Sequence, residues 1–220
     1  MSSQVIVFFA FVTLCVLASA YLLPRFVPSS AARRFALGLW LVGIAFAIWS
    51  VVVITKPVDT LGTFVTTGLI VMLGALVLIV NAATIHLSRS EQQLALVLTV
   101  AYMVLLVVIR FFNPSQPFFS DNGLFYFGQQ PVVGFMTILM LGGTIVPAVL
   151  VVAREIKDKD VLSSNVFIGA CMTELIGGVL LLSSRDDNLL TLVGWAMGIA
   201  FAFLVLASAG IFGRLSPRRL

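Results

Sequence analysis

The segment VLSSNVFIGACMTELIGGVLLLS, Val161–Ser183, decides how this chain is read, because it is apolar over a membrane-spanning length yet carries a carboxyl group, Glu174, near its middle. A hydrocarbon core of ~30 Å is crossed by roughly 20 helical residues. Glu174 follows Val161 by 13 residues and precedes Ser183 by 9, which places it near mid-depth. An acid at that depth costs roughly 2.5–3.5 kcal/mol on insertion scales, so it marks a candidate functional site. Ala170 and Gly178, four residues to either side, share its helical face, and Cys171 and Gly177 flank it. Small residues let helix backbones approach, so Gly177 and Gly178 are expected to pack on a neighbouring helix and Glu174 to point into a bundle. Two roles stay open for it. One is a neutral carboxyl that hydrogen-bonds a neighbouring helix as structural glue; the other is a ligand contact, proton carrier or sensor element.

The rest of the chain supports a membrane setting. Of its 220 residues, 60% are hydrophobic and 10% charged, against roughly 45–50% and 25% for a soluble domain. Seven segments are long and apolar enough to span, approximately residues 4–23, 35–54, 63–87, 92–111, 132–153, 161–183 and 189–213. The expected fold is therefore an all-α, polytopic seven-helix bundle forming a single transmembrane domain.

The net charge of +4 does not point to nucleic acid, because the basic residues sit in short clusters between apolar spans. Arg25, Arg33, Arg34, Arg89, Arg154, Lys157, Lys159, Arg214, Arg218 and Arg219 fall in alternate connections and the tail, while Lys56, Arg110 and Arg185 fall on the other side. This bias predicts an outer N-terminus and a cytoplasmic C-terminus in a cell inner membrane. Ala18-Ser19-Ala20 looks like a signal-peptidase site, but the leader lacks a positive charge and cleavage would reverse the bias, so the segment is read as the first helix.

Two cysteines, Cys15 and Cys171, lie inside spans without paired spacing, and His86 is the only histidine. This excludes two-histidine haem ligation and offers no metal-ligand cluster, so neither metal nor cofactor is expected. The seventh segment has no lysine with which to hold retinal. It has Gly194, Gly198 and Ala202 at fourfold spacing, read as a close-packing stripe. The fifth contains Gly142, Gly143 and Pro147, expected to break or kink it, because proline removes a backbone donor. Arg110 closes the fourth. By rise alone it lies ~27 Å and Glu174 ~20 Å above the cytoplasmic ends of their helices, so the two could pair if those helices touched. The one long connection, 112–131, carries Phe118, Phe119, Phe125, Tyr126 and Phe127. It reads either as a lid over the bundle mouth or as an aromatic belt among the headgroups.

The stretch Ala32-Arg33-Arg34-Phe35-Ala36-Leu37-Gly38-Leu39-Trp40 and the Asn113-Pro114 break after the fourth helix resemble the seven-helix N-terminal membrane module of bacterial histidine kinases. The resemblance implies a sensor-like or accessory module without enzymatic activity. With no kinase domain before Leu220, output would pass through helix contacts to a membrane-protein partner or a second copy. Two other readings are a small transporter or channel, lined by Glu174 and the broken fifth helix, and a structural subunit of a larger membrane complex.

Overall fold

The computed structural model describes residues 3–55, 61–113, 116–119, 124–128, 131–184 and 186–212. Each apolar segment forms one helix: α1 Ser3–Phe26, α2 Ser30–Thr55, α3 Leu61–Ala83, α4 Arg89–Phe112, α5 Pro131–Lys157, α6 Val161–Ser183 and α7 Asp187–Ser208. All seven are long and apolar enough to cross a membrane. Between α4 and α5 lies a small antiparallel hairpin, β1 Phe118–Phe119 and β2 Phe125–Tyr126, in which Phe118 faces Tyr126 and Phe119 faces Phe125. It interrupts an otherwise all-α chain.

The helices outrun their apolar cores where polar residues cap them. Ser88 and Glu91 form a reciprocal capping box that starts α4 at Arg89, three residues before its apolar run. Asp160 caps α6 by accepting from the Leu162 amide, and Asp186 caps α7 by accepting from Asn188 and Leu189. At the other extreme, α3 stops at Ala83, and Thr84, Ile85 and His86 turn away from it. Likewise α7 stops at Ser208, after which Gly210 turns the chain at φ +64° with the Phe26 ring against its Cα.

Packing follows the chain around a ring. The neighbouring pairs are α1/α2, α2/α3, α3/α5, α5/α6 and α6/α7, and α7 closes back on α1. The remaining helix, α4, lies outside this ring against α3 and α5. Leu106 is its one buried residue. The chain thus builds a six-helix ring with an outboard helix, a more specific arrangement than a plain seven-helix bundle.

Polar ties hold the ring at both ends. At one end Ser29 donates to Glu155, the Lys159 ammonium donates to the Phe26 carbonyl at 2.6 Å, and Arg34 donates to the Asn81 side chain at 2.8 Å. These contacts bring Arg25, Arg33, Arg34, Arg154, Lys157 and Lys159 to the same end of the bundle. Lys56, Arg185, Arg214, Arg218 and Arg219, which complete the charge count, lie outside the described residues, as does Pro114. At the opposite end Tyr126 of the hairpin donates to Asp187 at the head of α7.

The expected glycine stripe of α7 is corrected by this packing. No atom outside its own helix backbone lies within 4 Å of where a Cβ on Gly194 or Gly198 would be, and Ala202 is half-buried. The buried face of α7 is instead the row through Leu190, Val193, Met197, Phe201 and Leu204, whose larger side chains make the van der Waals contacts that fill the ring. The α5 reading changes as well. Pro131–Lys157 is continuous helix through Gly142, Gly143 and Pro147, with Gly143 and Pro147 on its exposed side. A proline there leaves one carbonyl without its donor, but it does not break the helix.

Candidate functional site

All six ring helices contribute to a cavity of about 140 Å³ inside the ring. On α2 the lining is Phe35, Leu39, Val42, Phe46 and Trp49, spaced four, three, four and three residues apart, so one helical face supplies it. On α6 it is Cys171, Glu174, Leu175, Gly178 and Leu181. Phe8, Phe9 and Val16 close it from α1, Thr137 and Leu141 from α5, and Met197 and Phe201 from α7. The hairpin adds Phe127. The outboard α4 contributes nothing to this lining.

Glu174 is the one carboxyl group among the lining residues. Both its oxygens are buried and neither has a hydrogen-bond partner. That overturns the glue reading, which needs a hydrogen-bond partner, acceptor or donor, on a neighbouring helix. It also disposes of a direct hydrogen-bonded pair with Arg110. Depth alone suggested that pair, but α4 packs on α3 and α5 whereas α6 packs on α5 and α7. A buried polar group left unsatisfied costs roughly 1–3 kcal/mol, and more when charged, and native folds rarely retain one without a use.

The two glycines beside Glu174 do different work. A Cβ on Gly177 would lie 2.4 Å from Met197 Cγ, so this glycine makes room for a side chain of α7, as the small-residue rule anticipated. Gly178 has no atom of another element within 4 Å of that position and opens onto the cavity. Cys171 completes this wall as a buried thiol.

The hairpin end of the cavity is aromatic. Phe125, Tyr126 and Phe127 are buried, and Phe118 is exposed and stacks on Tyr126 at 4.8 Å. Phe127 packs edge-on to Trp49 at 5.0 Å and to Phe125 at 5.1 Å. The loop reverses at Gly128, φ +58°, whose carbonyl accepts from the Gln116 amide. A Cβ there would fall 1.9 Å from the Gln116 carbonyl oxygen, so only glycine fits. Burial, then the hydrogen bond to Asp187 and the charges of Asp187 and Asp186, pushes the Tyr126 phenol up to about 12. The phenol therefore stays a donor across the physiological range. The described part of the loop lays Phe127 onto the cavity.

Trp49 is the residue that sequence reading passed over. Its indole lies flush against Gly68 of α3, where a Cβ would come within 2.2 Å of Nε1, and that nitrogen has no hydrogen-bond partner. Phe46 packs edge-on against the ring at 5.3 Å and 84°. The usable signal was the heptad-like row on α2, in which Trp49 continues Phe35, Leu39, Val42 and Phe46 while Trp40 falls outside it and is exposed.

Chemically, the arrangement can hold an apolar body and offer it one carboxyl. Among the described residues no group of three or more His, Cys, Asp or Glu side chains is placed to hold a metal ion. No family model matches the chain, and neither does a curated protein nor a solved structure.

Proposed function

We propose that this chain is a multi-pass membrane module that holds a small apolar ligand inside its helix ring and signals occupancy through helix contacts to a partner protein, with no chemistry of its own. The observation that carries this reading is the unpartnered carboxyl of Glu174 in the wall of an apolar cavity. A residue that lowers stability and lacks a partner in the ligand-free fold is accounted for if its partner arrives with the ligand. The connection to an output is physical as well. A ligand that draws on Glu174 acts on α6, and α6 is joined through the Asp158–Asp160 turn to the end where Glu155 and Lys159 hold Ser29 and Phe26.

The orientation follows the basic end of the bundle, which we assign to the cytoplasm of a bacterial inner membrane, with the aromatic hairpin outside. In this reading the resemblance of the Ala32–Trp40 stretch to histidine-kinase membrane modules is functional, and the output partner is a separate membrane protein or a second copy. The test is a thermal-shift screen of the purified chain in nanodiscs against lipophilic small molecules. A saturable increase in melting temperature that disappears in Glu174→Leu supports the proposal. Flux of the same compound in sealed liposomes, abolished by the same substitution, would replace it with a transporter.

A further inference from the structure

Resting on that reading, the cavity's own chemistry narrows the ligand class. Three observations bear on it. The wall is aromatic and aliphatic except at very few points, with Phe8, Phe46, Trp49, Phe127 and Phe201 supplying ring faces and edges. The single carboxyl has both oxygens buried and unpartnered. The third is size: the space of about 140 Å³ is close to that of an engineered apolar cavity of about 150 Å³ that accepts benzene.

A neutral hydrocarbon would satisfy the apolar wall and leave Glu174 without a partner. An acid would add a second negative group beside it. A protonated amine meets both demands: its N–H groups donate to the two carboxyl oxygens in charge-assisted hydrogen bonds, and cations are attracted to the faces of aromatic rings. Thr137, the one hydroxyl on the wall, is already committed as donor to the Val133 carbonyl, and the unpartnered Trp49 Nε1 is a donor that cannot accept from an ammonium, so the carboxyl is the anchor for a cation. We propose that the ring cavity binds a small lipophilic amine whose ammonium is held by Glu174 and whose apolar body, about the size of one aromatic ring, lies among the phenylalanines and Trp49. Such a molecule partitions into the bilayer and reaches the bundle from there.

The experiment uses the full chain in nanodiscs and three measurements by isothermal titration: 2-phenylethylamine with the native protein, ethylbenzene as the same body without the charge, and 2-phenylethylamine with Glu174→Gln. The amine is expected to bind saturably, with an affinity at least about 30-fold above that of ethylbenzene and a similar loss in Glu174→Gln, as when one partner of a buried charge pair is removed. Gly178→Leu, which fills the cavity from a position with no neighbour, should abolish binding of both compounds while the chain still elutes as one folded species. Equal affinity for amine and ethylbenzene, unchanged in Glu174→Gln and lost in Gly178→Leu, overturns the amine class and leaves the apolar-ligand reading standing. Binding that survives Gly178→Leu, or no binding of either compound by the native chain, overturns both.

Discussion

Adding a single methyl group at Gly68 tests the architecture at a close contact between α2 and α3. In Gly68→Ala the new Cβ would lie 2.2 Å from Trp49 Nε1 and 2.8 Å from Cδ1 and Cε2. Comfortable non-bonded separations are about 3.5–4.0 Å, so the indole has to retreat by more than about 1 Å. It cannot do so freely, because Phe46 and Phe127 hold it at 5.3 and 5.0 Å. Overpacking of this kind costs about 1–3 kcal/mol. Alanine also gains helix propensity over glycine, a term that obscures the clash when the variant is compared with the native chain. Gly198→Ala carries the same propensity gain at a position with nothing within 4 Å. The difference between the two variants therefore isolates the clash. At about 2–4 °C per kcal/mol for a chain of this size, Gly68→Ala should melt about 2–12 °C below Gly198→Ala in the same detergent. Equal melting temperatures, with Trp fluorescence unaltered, would show that Trp49 is not wedged between α2 and α3 and would refute the packing account of the cavity's hairpin end.

The other expectations concern charge and placement. Glu174→Leu should raise thermal stability by about 1–3 kcal/mol, since it removes an unsatisfied buried group; a fall would reveal a partner that the geometry does not contain. Glu174→Gln and Arg110→Ala should be additive within about 0.5 kcal/mol in a double-mutant cycle, because their helices are not neighbours, and a larger coupling energy would restore the pair. Tyr126 gains its Asp187 bond only while protonated, so with its folded value raised to about 12 that stabilisation is fully present below the ordinary tyrosine value of about 10 and is lost as pH rises through the folded one. An absorbance titration should include a late step from Tyr126, which Tyr126→Phe should remove. A cysteine replacing the exposed Phe118 should react with an impermeant maleimide on intact cells; labelling only after permeabilisation would invert the orientation.

The helices were legible because bilayer thickness imposes one length on every span, and no tertiary detail is needed to read it. Val161–Ser183 came out with the same bounds for that reason, Asp160 supplying the cap just before the apolar run. Their arrangement was less legible. The stripe of Gly194 and Gly198 has the spacing of a contact face, yet spacing says nothing about whether a neighbour is present, whereas Gly38, Gly43 and Gly68 do meet side chains of Ile79, Leu17 and Trp49 without any repeat to announce them. Glu174 was found because a carboxyl among apolar residues stands out in one dimension. Its isolation from Arg110 was not, because depth along a helix is one-dimensional and adjacency around a ring is not. The hairpin, too, rests on pairing across the loop that its composition of aromatics and turn residues does not specify.

The outboard position of α4 has a consequence for how the wall can part. Neighbours joined by a short turn run in opposite directions, as the Gly38/Ile79 and Trp49/Gly68 contacts show for α2 and α3. The span of α4 returns the chain to the starting side, so α5 runs parallel to α3, and α7 likewise runs parallel to α1, the Phe26 end of one meeting the Gly210 end of the other. The ring is therefore two three-helix clamshells, α1–α3 and α5–α7, meeting along two parallel seams that no direct turn stitches together. One seam, α3/α5, is strapped from outside by α4. The other, α1/α7, has no such strap among the described residues, so a parting of the two shells along it would leave α4 seated and would have to break the ties of Lys159 to Phe26 and of Ser29 to Glu155.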